Sequence, residues 1–177
     1  MKGTKAAGRY AQALLELALE QNKVEQVLAD LNYLLQVNNE SAEFQLLLKS
    51  PIVKSDKKIA IFRELFGQFE DLSSSFVSMI INKGREKDLA LIAIAFDNLV
   101  KAHKGIIPVT LTTAVPVDEA TKKIILDKVQ ASVNGTLEVT EKIDKSLIGG
   151  FIIRMGDKQF DASVANQFSE LKQRLTR

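Results

Sequence analysis

The residue types that could perform chemistry are few in this chain, and they are scattered. One histidine, His103, stands at the end of a helical stretch; at such a position an imidazole interacts with helix-end carbonyls more readily than it serves as an acid or base. Carboxylates occur in pairs, Glu40 with Glu43 and Glu138 with Glu141, and read as solvated faces rather than as acid–base partners. Asp157-Lys158 belongs to turn geometry, and Gly84-Arg85 to a helix C-cap followed by a surface charge. Cysteine is absent, which excludes disulfides, thiolate metal sites and thiol nucleophiles. The zinc-protease pattern H-E-x-x-H, the nucleophile elbow G-x-S-x-G and the phosphate loop G-x-x-x-x-G-K-[ST] do not occur. The expectation is no catalytic residue, no cofactor-binding residue and no metal ligand.

The most unusual stretch is Leu147-Ile148-Gly149-Gly150-Phe151-Ile152-Ile153-Arg154-Met155. It is apolar and β-branched, as a buried strand is. Each glycine inside a strand costs roughly 0.5–1 kcal/mol relative to alanine. Either Gly149-Gly150 forms a bulge or tight packing spot, or something must approach the backbone there. Apolar residues follow the pair, so it cannot present amides at a helix start as a phosphate loop does. Gly156-Asp157 is a Gly-X pair, the pattern of a type II′ hairpin turn, and Gln159-Phe160 returns as a partner strand. Asp161 or Ser163 can cap a last helix with Val164, Phe168, Leu171 and Leu175 on one face.

The rest of the chain must position this segment. It has 177 residues, 46% of them apolar, and a formal net charge of +2 from 24 basic and 22 acidic residues. The two signs are interspersed, so no polyanion partner is implied. The longest apolar runs, such as Leu89 to Phe96, fall far short of the ~20 residues of a membrane span. The N-terminus has neither an apolar signal core nor an Arg- and Ser-rich transit pattern. A soluble cytoplasmic protein is expected, with its first residues already part of the fold.

Six amphipathic helices are expected first. Ala6 to Gln21 places Tyr10, Ala13, Leu14, Leu17 and Ala18 in one stripe, so alanine-rich that another helix could approach closely. Val24 to Val37 is the second helix, ended by Asn38-Asn39. Ser41 caps a third through Lys49, and Ser50-Pro51 breaks the chain. Ser55 or Asp56 starts the fourth, with Ile59, Phe62, Leu65 and Phe66 inward and Gly67 as a left-handed C-cap. Leu72 to Lys83 is the fifth, with Ser73 as cap. Its apolar set of Leu72, Phe76, Val77, Met79, Ile80 and Ile81 is too wide for one buried stripe. Either it lies centrally in a bundle or one flank meets another protein. Gly84 closes it, and Leu89 to His103 is the sixth.

At Gly105 the period changes. Ile107, Val109, Leu111, Thr113 and Val115 alternate with smaller or polar residues, a strand in which Pro108 marks an edge position or the first turn. A helix over Glu119 to Val133 with Asp118 as cap follows, ended by Asn134-Gly135. A strand over Thr136 to Ile143 comes next, then the glycine strand, its partner and the last helix. The expected fold is α+β: an N-terminal six-helix bundle over 1–104, then a small mixed-sheet α+β domain over 105–177. Units this small are marginally stable and gain from docking on partners.

The run Ile143-Asp144-Lys145-Ser146-Leu147-Ile148-Gly149-Gly150-Phe151-Ile152-Ile153-Arg154-Met155-Gly156-Asp157, continued by Asp161-Ala162-Ser163-Val164, resembles the C-terminal signature of the delta subunit of F-type ATP synthase. The mitochondrial member of that family is the oligomycin-sensitivity-conferring protein. Arg9-Tyr10-Ala11-Gln12-Ala13-Leu14 resembles the family's other recurrent segment, and the order of elements agrees along nearly the whole chain. The resemblance implies a non-catalytic stator subunit that links the catalytic head to the peripheral stalk, so that proton-driven rotation becomes ATP synthesis. It implies that the helical domain binds the N-terminal helix of an alpha subunit, through Tyr10, Ala13, Leu14 and Leu17 of the first helix and Met79, Ile80 and Lys83 of the fifth. It also implies that the C-terminal domain binds the b subunits of the stalk. Gly149, Gly150, Gly156 and Asp157 would be a structural signature. The protein would lie peripherally on the cytoplasmic side of a bacterial cell membrane, with no cofactor, no nucleic-acid partner and no membrane insertion. The competing class is a helical-bundle regulatory or nucleic-acid-binding protein, whose only sequence support is the slight basic excess and lysine pairs such as Lys57-Lys58 and Lys122-Lys123.

Overall fold

Alanine, leucine and glutamate at helical spacing dominate the first hundred residues, and β-branched alternation begins only at Ile106. A computed structural model of the chain, describing residues 5–115, 119–130, 135–156 and 158–175, follows that division. The helices are α1 (Lys5–Glu20), α2 (Val24–Glu40), α3 (Ala42–Lys49), α4 (Ser55–Leu65), α5 (Asp71–Asn82), α6 (Leu89–His103), α7 (Glu119–Gln130) and α8 (Val164–Leu175), with a 3-10 turn at Glu86–Asp88. The strands are β1 (Ile106–Thr113), β2 (Thr136–Ile143), β3 (Phe151–Met155) and β4 (Lys158–Asp161). The fold is α+β. Two compact units divide it, Met1–Val100 and Lys101–Arg177, so the division falls in the last turn of α6.

In the helical unit, α1 to α6 all send side chains into one apolar cluster. One patch of it is aromatic. Phe62 stacks on Phe66 with centroids 4.6 Å apart, and Phe44, Phe69 and Tyr33 meet Phe66 at 5.6, 4.8 and 5.7 Å. The buried stripe of α1 is rotated from the expected one. Ala7, Ala11, Leu14, Leu15 and Ala18 face inward while Ala13 and Leu17 lie outside. Small alanines occupy the interior, where they allow close approach of neighbouring helices.

Three expected caps are corrected. The α2 helix runs through Asn38-Asn39 to Glu40, because Gln45 Nε2 donates to the Asn38 carbonyl at 2.6 Å and Gln36 pairs with Glu40 at 2.9 Å. Gly67 is not left-handed; α4 ends at Phe66 with φ −122°. Leu65, expected inward, is exposed, and Lys58 takes an interior position of α4. Ser73 lies inside α5, fully buried with its hydroxyl unpartnered among the described residues, and Glu70 is the cap residue. The anticipated caps at Ser41 and Gly84 form as read. Ser41 Oγ accepts from Phe44 N at 3.1 Å. Gly84 takes φ +66° and donates to Ile81 O at 2.9 Å, while Arg85 N reaches Ile80 O at 3.0 Å. Asn22, with φ +53°, ends α1 by the same pair of bonds, Asn22 N to Leu19 O and Lys23 N to Ala18 O.

In the α+β unit the sheet order is β2-β1-β3-β4, with β1 parallel to β2 and antiparallel to β3. A parallel pair requires a crossover, which α7 supplies. Pro108 therefore sits in an interior strand. It lies one residue outside the β1–β3 ladder, which starts at Val109↔Met155, so β1 has one partner there, as at an edge. Val109, Leu111, Ile125 and Ile153 form the buried core, with Ile107, Leu137, Val139, Phe151 and Met155 packed on it.

The glycine pair is also corrected, because it precedes β3 instead of interrupting it. Gly150 has φ +79°, and a methyl group there would overlap the Ala162 carbonyl oxygen. Gly149 O accepts from Val164 N at 3.0 Å, and Phe151 O accepts from Ala162 N at 2.9 Å. What approaches the backbone is the chain itself, on its way from β4 into α8. The expected strand start at Leu147 fails because this left-handed residue breaks the extended run. Val115 likewise falls beyond β1. Asp118, Val133 and Asn134 lie outside the described residues.

Candidate functional site

The seven residues carried over from the resemblance divide into a floor and a surface. Leu14 and Ile80 are 0% exposed, members of one core cluster. Neither lines a surface, as the resemblance implied, because an inward helical position leaves a leucine or isoleucine no surface to offer. Ala13, Leu17, Met79 and Lys83 are exposed, Leu17 at 44% and Met79 at 37%, and Tyr10 is half-buried against the core. On α1 the outward residues Ala13 and Leu17 are four apart, one turn along the same face. Lys83 is the C-cap of α5, its N–H donating to Met79 O at 3.0 Å. Its ammonium thus stands at the negative end of that helix.

Two ionic joints hold the elements that present this surface. At the start of α5, Glu70 N donates to Asp30 Oδ2 at 3.0 Å, and Lys23 Nζ meets Glu70 Oε2 at 2.7 Å. The hydrogen bond and charge of Glu70 raise the Lys23 ammonium above its ordinary pKa. The second joint is deeper. Lys58 is 3% exposed and donates to Ser50 O at 2.7 Å, Leu48 O at 3.5 Å and Glu86 Oε1 at 2.6 Å. All three ammonium protons are used. Burial pushes the Glu86 carboxyl up, but the bond from Lys58, its own backbone N–H and the charges of Lys58 and Lys87 hold it below the usual carboxylate range. Lys58 fastens the end of α3, α4 and the 3-10 turn after α5. Sequence reasoning took it only as half of the lysine pair Lys57-Lys58, although Lys58 stands four residues before Phe62, on that helix's inward face.

The signature residues serve backbone geometry. Gly150 admits the Ala162–Ser163 crossing described above, and Gly149 lies against the Val164 side chain. Gly156, with φ +53°, begins the two-residue link between Met155 and Lys158; Asp157 lies outside the described residues. Both candidates for the α8 cap participate. Ser163 Oγ accepts from Asn166 N at 3.3 Å, and Asp161 Oδ1 accepts from Ser163 N at 2.9 Å. The hydrogen bonds from the Ser163 side chain and backbone lower the Asp161 pKa. The Asp144 pKa is lowered in the same way by Ser146, where Ser146 Oγ donates at 2.6 Å. His103 ends α6 as expected and is exposed.

The carboxylate pairs fall in solvated places. Glu40 and Glu43 are exposed, Glu138 pairs with Lys101 at 2.7 Å, and Glu141 pairs with Lys122. Among the described residues no group of three or more His, Cys, Asp and Glu could hold a metal, and no helix is long and apolar enough to cross a membrane.

The family described as ATP synthase delta (OSCP) subunit matches residues 6–175. A protein of Christiangramia forsetii named ATP synthase subunit delta is 32% identical over 99% of this chain and 95% of its own length. One of the same name from Cytophaga hutchinsonii is 33% identical over 99% and 97%. A chain of the Toxoplasma gondii mitochondrial ATP synthase hexamer superposes with a TM-score of 0.74 at 27% identity, covering 97% of both chains. Matched from the first helix to the last in sequence and in fold, the chain belongs to the ATP synthase delta (OSCP) subunit family.

Proposed function

We propose that the chain is the non-catalytic stator subunit of an F-type ATP synthase, joining the catalytic head to the peripheral stalk so that proton-driven rotation is coupled to ATP synthesis. The observation that carries this reading is the end-to-end likeness, 97% of both chains, to a chain inside an ATP synthase. A coupling subunit needs two separate docking surfaces and no reacting group, and the chain divides into two compact units. In the finer reading residues 1–104 act as a six-helix bundle that binds the N-terminal helix of an alpha subunit. Exposed Leu17 and Met79 make its apolar contacts, over the floor of Leu14 and Ile80. Residues 105–177 hold the b subunits. The protein works peripherally at the cytoplasmic face of the bacterial membrane.

The test is add-back. Membranes stripped of this subunit regain ATP-driven proton pumping when the purified chain is restored. A synthetic alpha N-terminal helix binds the chain one to one, and Leu17→Asp or Tyr10→Asp removes that binding with the circular dichroism spectrum unchanged. Pumping that stays uncoupled after add-back removes the reading.

A further inference from the structure

The two margins of the sheet differ. At one, β4 has 4 residues, the short kind of edge strand that resists pairing. At the other, β2 has 8 residues with neither proline nor glycine among them. Thr136 N donates to Gly105 O at 3.0 Å and Asp144 N donates to Thr113 O at 2.8 Å, so the even-numbered residues of β2 turn their backbone groups toward β1. Direction alternates along a strand. Leu137, Val139, Glu141 and Ile143 therefore turn their N–H and C=O groups outward, a row open to another strand.

Parity and charge say which strand fits. An antiparallel neighbour bonds through outward-turned residues, so a second β2 must set odd residues opposite odd ones, and a slip of one residue breaks the ladder. Centred on Thr140, two copies place Val139 against Glu141 and Leu137 against Ile143 as hydrogen-bonded pairs. Between these, Glu138 of each copy stands opposite Lys142 of the other. Such pairs are not hydrogen-bonded through the backbone; their Cα atoms come within about 4.5 Å and their side chains are closest. Glu138 Oε2 meets Lys101 Nζ at 2.7 Å, and a carboxylate has lone pairs for a second ammonium. Ile143, 51% exposed, gains an apolar neighbour. Centring on Val139 instead leaves both charges opposite threonines, and centring on Glu141 sets Glu138 against Asp144, like against like.

We infer that the β2 edge pairs antiparallel with the β2 edge of a second copy of this chain, about a two-fold axis at Thr140, joining two four-stranded sheets into one. The pairing needs nothing from the stator reading.

The test is sedimentation of the purified full-length chain over a concentration series, with amide exchange measured on the same samples. A monomer–dimer equilibrium is expected, and rising concentration should slow exchange at Leu137, Val139, Glu141 and Ile143 but leave their even-numbered neighbours unchanged. Glu138→Lys and Lys142→Glu should each weaken dimerisation by about tenfold or more. Combined, they restore opposite charges and should return it to within about threefold of the parent. Lys142→Glu leaves the Glu138–Lys101 pair in place, so its effect is not that of a lost internal bridge. Phe160→Asp, at the β4 margin, should change nothing. A chain that stays monomeric throughout overturns the inference. So does a dimer without the alternating protection, one weakened by Phe160→Asp, or one that the combined charge exchange fails to rescue.

Discussion

In the helical unit six helices converge on one cluster of alanine, valine, leucine, isoleucine and phenylalanine, whereas the buried apolar residues described in the α+β unit are Val109, Leu111, Ile125 and Ile153. Both leave apolar side chains in water, Leu46, Ile52 and Leu65 in the first and Ile148, Phe160 and Phe168 in the second. The second draws its definition from backbone devices: a crossing at Gly150, a hairpin at Gly156 and a serine–aspartate cap. The contrast teaches where each unit is vulnerable. Side-chain volume and charge matter most in the first, and backbone freedom in the second. Amide exchange should find the strands less protected than α5 and α6.

The largest effect that would sharpen the comparison is Lys58→Ala. It strands a buried carboxylate, so denaturant unfolding followed by helical signal should show a loss of about 3–5 kcal/mol. Gly150→Ala is the counterpart in the α+β unit, expected to cost about 2–4 kcal/mol through strain at φ +79° and overlap with Ala162 O. If instead it is silent, the backbone account of that unit fails. Gly84→Ala, at φ +66° in open space, should cost only about 1 kcal/mol. Leu17→Asp should shift stability by no more than about 0.5 kcal/mol, which separates the exposed Leu17 from the buried Leu14.

The smallest effect is that of pH. Glu86, Asp144 and Asp161 have lowered folded-state pKa values. Their stabilising contributions are present above the unfolded values near ~4 and vanish as pH falls through the folded ones. Thermal unfolding scanned from pH 5 downward should show the loss. In Ser163→Ala an NMR titration should return Asp161 toward its ordinary value.

Much of this was legible in the sequence because periodicity reports which face is buried. The α6 and β2 spans match residue for residue, and the Ser41 and Gly84 caps followed from residue type. What misled was long-range. Nothing local tells Ser73 from a cap residue, since Asp30 from α2 fastens the start of α5. Nothing near Gly150 announces that Ala162 will cross it. The exposed face of α1 was half legible: helical spacing put Tyr10, Leu14 and Leu17 on one stripe, but only packing separates Leu14, which is buried, from Leu17, which is not.

Lys58 has one more consequence. An amine whose three protons are spoken for and whose surface is 3% exposed is hidden from acylating reagents while neighbouring Lys57, out in solvent, is not. Mass spectrometry of the two after timed labelling would turn adjacent residues into a clock, the outer one reporting reagent and the inner one reporting how often the helices part.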